Sequence, residues 1–352
     1  MRPPHLFVAG LGYVGLRVGL AAQNELGWRV SGCCRTTERA DALTRATGID
    51  AFHLDLDDTY SGLPPEGLAA LEDATHVLAT IPPIADLSRD PLLALHGARI
   101  QRAASDGRLY WVGYLSTTSV YGDHDGAWVD EASETRCARG SPADHRLAAE
   151  RKWLGFDGAR GETSGPDRPR SANVFRLGGI YGPGRSALDT VAKAAARDAN
   201  ADGASLAPAP RAADATTLTG AAVDTTAAPP RPRYVSRIHV DDICSAVLAS
   251  MELGAAADGG IFNLADDEPA PRAEVMAYAA QLLRAPRSAA DGATGAGSGG
   301  TGARARRRAV EHKRVANKRM RATLLPNGLS FPSYREGLAH IAALDAGRDS
   351  RS

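Results

Sequence analysis

Gly10, Gly12 and Gly15 stand in a Gly-x-Gly-x-x-Gly spacing near the start of the chain. Glycines so spaced, between a strand and a helix, let backbone N–H groups approach a pyrophosphate at a helix N-terminus. The chemistry is then the holding of a dinucleotide. The flanks agree. The apolar run Leu6-Phe7-Val8-Ala9 precedes the turn, and Leu16, Val18, Gly19, Leu20 and Ala22 follow it in a helical pattern. A second strand, Trp28 to Cys34, completes a βαβ unit of about 30 residues. An NAD site carries an acid about 20 residues beyond the last glycine, for the ribose 2′-hydroxyl. Here that place reads Cys34-Arg35-Thr36-Thr37. Arg35 is a cation where a 2′-phosphate would lie, which favours NADP(H) over NAD(H); an ordinary surface arginine at a strand end is the alternative. Tyr13 and Val14 within the turn, Asp55 and Leu56 after a third strand, and Thr80, Ile81 and Pro82 after a fourth are expected to complete the cofactor site.

These residues need a scaffold that brings strand ends together. Strand signals at 49–55, 74–80, 109–115 and 172–177 alternate with helix signals at 92–104 and 143–154. Such alternation predicts an α/β protein of Rossmann type, with a doubly wound parallel sheet. Ligands of such sheets bind at the carboxyl ends of the strands, where the glycine turn, Asp55, Thr80 and Ser116-Thr117 all fall. A cofactor domain is expected over residues 1–185, its last strand and helix returning at 233–264. A low-complexity insertion over 186–232, rich in Ala, Asp, Thr and Pro, is expected to be disordered. A small C-terminal substrate lobe is expected over 265–345, with a flexible Gly-, Ala- and Ser-rich insertion at 286–303. The loop 157–170 has a similar composition.

The 352 residues carry a formal net charge of zero, which argues against a nucleic-acid or anionic-membrane partner. Four scattered cysteines form no metal spacing and no disulfide framework. No apolar run reaches the about 20 residues of a membrane span. The first motif lies too close to Met1 to leave room for a targeting peptide, so a cytoplasmic protein with a small-molecule substrate is expected.

The fifth strand runs into Ser116-Thr117-Thr118-Ser119-Val120-Tyr121-Gly122. From here the chain resembles the extended short-chain dehydrogenase/reductase superfamily, in its NAD-dependent epimerase/dehydratase group. The glycine turn, the segment 176–184, Ile238-His239-Val240-Asp241-Asp242-Ile243 and Phe262-Asn263-Leu264 fit the same pattern in order. The resemblance implies a Ser or Thr that holds the substrate oxygen, a Tyr that moves its proton, and a Lys one turn later that contacts the nicotinamide ribose. The hydroxyl position is Thr117. The tyrosine position is Pro142 and the lysine position is Arg146. Proline cannot ionise, and arginine stays protonated, so it can hold a ribose or phosphate but cannot shuttle a proton. The chain looks most like an atypical subgroup that keeps the glycine turn and replaces Tyr-x-x-x-Lys. Dimerisation through helices of the cofactor domain is common in the superfamily, so a homodimer is an expectation carried by the resemblance alone.

Substitute acids are His145, whose ordinary pKa of about 6.5 suits proton transfer, and Tyr121, close to the hydroxyl cluster by sequence. Asp123-His124-Asp125 reads as a polar loop and His239 as a packed junction residue. The basic stretch 304–321 reads as a solvated helix over 304–308, while Lys313, Arg314 and Asn317 could wall an anionic substrate. Two functions remain open: an atypical oxidoreductase, epimerase or dehydratase acting on a nucleotide sugar or other polar carbonyl compound, and a cofactor-binding regulator or assembly factor without turnover. A nucleotide-sugar 6-dehydrogenase would need a cysteine in a later glycine-rich segment, and neither Cys137 nor Cys244 has that setting.

Overall fold

β1 (His5–Ala9) is buried along its whole length, and its apolar run has no polar face, as a strand covered on both sides requires. The glycine turn leads to α1 (Tyr13–Leu26), which ends at Gly27 in the left-handed conformation, φ 66°. There follow β2 (Arg29–Cys34), α2 (Thr37–Thr47), β3 (Asp50–His53), α3 (Pro65–Asp73), β4 (His76–Ala79), α4 (Pro91–Ser105), β5 (Trp111–Thr117), β6 (Trp128–Val129), α5 (Pro142–Leu154), β7 (Ser171–Leu177) and β8 (Gly179–Tyr181). The remainder comprises α6 (Ala187–Asp202), β9 (Tyr234–Val235), β10 (Arg237–His239), α7 (Val240–Leu253), β11 (Gly260–Leu264), β12 (Ala270–Pro271), α8 (Arg272–Arg284), β13 (Arg314–Val315), α9 (Lys318–Thr323) and α10 (Tyr334–Asp349). The structure is a computed structural model and describes residues 3–54, 56, 61–84, 90–155, 171–202, 233–257, 259–284 and 312–349.

Seven strands form one parallel sheet in the order β11-β7-β5-β4-β1-β2-β3. The chain winds outward from β1 to β3, then restarts on the other side of β1 with β4. The carboxyl ends of β1 and β4 therefore flank the point where the winding reverses, the crevice in which such sheets hold ligands. This is the doubly wound Rossmann-type sheet expected from the alternation. Its two faces carry separate cores. Val18 of α1 packs with Ile243 and Val247 of α7 on one, and Leu71, Ile100 and Trp153 of α3, α4 and α5 meet on the other. A third cluster, with Tyr181, Leu188, Val275, Tyr334 and Leu338, joins β8 to α6, α8 and α10.

Three two-stranded pairs stand off the main sheet: β8 with β10, β9 with β12, and β6 with β13. The last pairs Arg314 with Trp128 and Val315 with Val129, and so brings the end of the basic stretch beside the residues that follow β5.

Composition misleads at α6. Residues 187–202, taken as the start of an insertion, form a helix. Alanine is the strongest helix former, and Leu188 gives the helix a buried contact, with Val191 packed alongside. The segments 157–170, 203–232 and 286–303, with Asp55 and Arg304 to Arg308, lie outside the described residues. No described helix is long and apolar enough to cross a membrane, and all four cysteines are free thiols.

Candidate cofactor and substrate site

The three glycines of the turn do different work. Gly10 has φ 108°, and a Cβ there would stand 2.4 Å from Thr80 Oγ1. The Thr80 hydroxyl instead donates to the Gly10 carbonyl at 2.7 Å, tying the end of β4 to the turn. A Cβ at Gly15 would stand 2.1 Å from the Gly10 carbonyl oxygen, so Gly15 sets the close packing of α1 on β1. Gly12 differs: a Cβ there would meet nothing within 4 Å. Gly12 is the N-cap of α1, where no side chain caps the helix and no acid lies in the first turn. The open glycine over uncapped helix N–H groups fits a pyrophosphate, whose charge the helix dipole favours.

A cavity of about 510 Å³ opens on the β2 side of this turn. Gly10, Gly12, Leu56, Ile81 and Pro82 line it, and Arg35 and Arg39, both exposed, stand at its edge. Thr36 accepts a hydrogen bond from Arg39 N and caps α2, which places Arg39 one helical turn beyond Arg35. Arg39 Nη2 also donates to the Leu11 carbonyl at 3.2 Å. The sequence reading missed Arg39; the signal was the cap at Thr36 followed by helical spacing.

A second cavity, of about 1050 Å³, shares Gly12 with the first. Tyr13, Val14, Gly15 and Thr80 line it on one side, and Ser116, Thr117, Ser141, Pro142 and Arg146 on the other. Thr117 ends β5, and its Oγ1 accepts from Ser119 N at 3.2 Å. That contact uses a lone pair and leaves the hydroxyl proton to donate. Ser141 caps α5 by accepting from Asp144 N, and Pro142 takes the first helical position, where a missing N–H costs nothing. Arg146, one turn on, is half-buried; its charge reaches the Tyr114 hydroxyl without hydrogen-bonding geometry.

Behind this wall lies a buried polar network that sequence reasoning did not find. Ser116 Oγ donates to Glu150 Oε1 at 2.5 Å. Arg176 of β7 grips Glu150 from Nη2 at 2.7 Å and from Nε at 3.2 Å, both side chains being almost wholly buried. The Arg176 guanidinium also lies over the Tyr121 ring at 4.8 Å, and the Tyr121 hydroxyl donates to Asn263 Oδ1 at 2.7 Å.

That network corrects the reading of Tyr121 as an acid. The side chain is fully buried, its hydroxyl serves Asn263, and burial raises its pKa. It lines neither cavity. His145 is half-buried on α5 and also lines neither. Sequence adjacency to Thr117 and Arg146 does not bring these groups to the cavity, because successive residues on a turn or helix point in different directions. Asp123 and His124 form a polar turn, with Asp123 Oδ1 accepting from Asp125 N and His312 N. His239 packs on Phe331 with ring centroids 4.0 Å apart, and burial lowers its pKa to about 4. Asn317 is spent on the Ala265 carbonyl and Asp267, whereas Lys313 is buried with its Nζ donating to the Gly122 carbonyl at 2.9 Å.

No family model matches the sequence. A conserved, functionally unknown protein from Silicibacter pomeroyi is 30% identical, with a TM-score of 0.66 over 97% of this chain and 99% of its own. Protein YeeZ of Escherichia coli K12 is 27% identical over 180 residues, a match that spans 51% of this chain and only 59% of YeeZ. MoeE5, solved with UDP-glucose and NAD, is 19% identical, with a TM-score of 0.63 over 99% of this chain and 100% of its own. The sheet order, the glycine turn and these likenesses agree: the chain has the fold of solved NAD-dependent epimerase/dehydratase and short-chain dehydrogenase/reductase proteins, and it belongs to the same family as the Silicibacter protein.

Proposed function

We propose that the protein binds NADP(H), or less tightly NAD(H), across the two cavities that meet at Gly12, and acts at the end of β5 on a nucleotide sugar or another polar carbonyl compound. The observation that carries this is the shared Gly12 wall. One side opens on Arg35 and Arg39, the other on Thr80, Thr117 and Arg146. The N–H groups of Tyr13, Val14 and Gly15 would hold the pyrophosphate. Leu56, Ile81 and Pro82 would cover the adenosine half, and the two arginines would pair with a 2′-phosphate. When bound, the nicotinamide supplies or accepts a hydride. Thr117 donates a hydrogen bond to the substrate oxygen, and Arg146, always charged, holds the nicotinamide ribose or a phosphate. Proton transfer then falls to water or to the substrate itself, since Pro142 cannot ionise. The fold likeness to MoeE5, which is solved with UDP-glucose and NAD, supports this substrate range. Four free thiols support a reducing, cytoplasmic setting.

The test is a turnover panel. Purified protein with either cofactor is offered nucleotide sugars and polar carbonyl compounds while nicotinamide absorbance and products are followed. Turnover that Thr117→Ala lowers by about 100-fold supports the enzyme. A second reading, a cofactor-binding regulator, is favoured by Pro142 and by the withdrawal of Tyr121 and His145 from the cavity. Tight cofactor binding with no product across the panel would select it.

A further inference from the structure

A recess of about 210 Å³ continues from the substrate cavity, sharing Thr117, Ser119, Gly178 and Val235 with it. Lys313 also lines it, with its Nζ donating to the Gly122 carbonyl at 2.9 Å. We propose that this recess is a subsite for one small oxyanion, a carboxylate or phosphate group that the substrate carries beside the carbon held at Thr117; the assignment rests on the function proposed above.

The fold delivers Lys313 there by long-range pairing. Arg314 N donates to the Ala127 carbonyl, Arg314 Nε to the Gly126 carbonyl, and Ala316 N to the Val129 carbonyl. These bonds draw the chain before α9 across the turn that follows β5. Val315 N then donates to Ser236 Oγ at 2.9 Å. Lysine is among the side chains least often buried, and Lys313 is only 6% exposed at the wall of a recess.

The rest of the lining suits an anion. Ser236 and Thr117 each use an oxygen lone pair to accept a backbone N–H, which leaves each a hydroxyl proton to donate. Thr118, Ser119 and Tyr234 add hydroxyls. Among the described residues lining the recess and the cavity it joins, none is Asp or Glu. Lys313 Nζ donates to the Gly122 carbonyl and lies within electrostatic reach of the Asp123 carboxylate, which is outside the recess; an ammonium with donor hydroxyls still suits an oxyanion better than a cation. The volume falls below the roughly 300–1,000 Å³ of sites that hold drug-sized ligands, which fits a single anionic group and leaves no room for a nucleoside.

Calorimetric titration of the full chain with malonate and with inorganic phosphate, each with and without NADP⁺, tests this. Saturable binding of malonate identifies a carboxylate site and of phosphate a phosphate site; either supports the proposal if Lys313→Gln weakens it by about tenfold or more, the loss of one charge-assisted contact. Phosphate held at the cofactor turn would instead be displaced by NADP⁺ and would ignore Lys313. Absence of binding at about 50 mM, far weaker than a built site gives, or binding that a folded Lys313→Gln protein retains, overturns the subsite. Should Lys313→Gln fail to fold, Thr118→Val decides by the same comparison, with a loss of about threefold expected. NADP(H) affinity is read separately: if it is absent while the anion still binds at Lys313, the cofactor reading fails and the subsite stands.

Discussion

A methyl group added at Gly12 or Gly15 meets two different fates. At Gly15 it would lie 2.1 Å from a backbone oxygen, so α1 must lift from β1. Gly15→Ala is expected to cost about 2–4 kcal/mol in chemical denaturation. At Gly12 the backbone φ of −88° suits alanine and the space is open. Gly12→Ala is expected to leave stability within about 0.5 kcal/mol and to weaken the cofactor by at least about tenfold, because the methyl takes the room of the pyrophosphate. The two arginines make a second residue-scale prediction. Arg35→Ala with Arg39→Ala should weaken NADP(H) by about 10–100-fold, the loss of charge-assisted bonds. NAD(H), lacking the 2′-phosphate, should change by less than about threefold. Equal losses for both cofactors would show that the arginines do not read the 2′ position. Arg35 was legible in the sequence because a strand end fixes its place. Arg39 was not, since its reach depends on where α2 begins.

At the scale of elements, α5 is pinned to the sheet by an ion pair that no periodicity announces. Glu150 and Arg176 join α5 to β7, and Ser116 adds β5 to the same contact. Removing one partner strands a buried charge, which costs more than the pair contributes. Glu150→Ala should therefore lower stability by about 3–5 kcal/mol, with the loss unchanged in high salt because the pair is shielded from solvent; a loss below about 1 kcal/mol would mark the pair as a surface-like contact. Legibility follows the range of the interaction. β1, α1 and β2 could be read because their apolar runs and glycines are local. The pairing of β6 with β13 could not, because it joins residues far apart through two-residue strands. Tyr121 misled for a related reason. Sequence places it near Thr117, but only the packed structure turns it toward Arg176 and Asn263.

For the whole molecule, buried titratable groups set the pH dependence of stability. Asp266 is 1% exposed, and burial pushes its pKa up to about 8 despite Arg237 and nearby backbone N–H groups, which act the other way. The folded protein then keeps a proton that the unfolded chain loses near about pH 4. Asp266 therefore lowers stability progressively as pH rises from about 4 to about 8. Asp242, raised by burial to about 6, acts in the same direction and is spent by that pH. His76 and His239, lowered by burial to about 4, act oppositely: below about 6.5 the unfolded chain takes up protons that the folded one refuses. Above about pH 6.5 only the Asp266 effect remains of these four, so thermal stability should fall between pH 6.5 and 8. Asp266→Asn should flatten that fall and raise the melting temperature at pH 8 by about 3 °C; an unchanged slope would rule Asp266 out as its source. The same scale contains the central functional claim, that a bare helix N-terminus between two cavities holds a dinucleotide. Titration of the full chain with NADPH, read by nicotinamide fluorescence beside the Gly12→Ala variant, tests it most directly. Saturable binding in the wild type, lost in a variant that melts at the same temperature, is the predicted result. No binding, or binding that Gly12→Ala leaves intact, would contradict it.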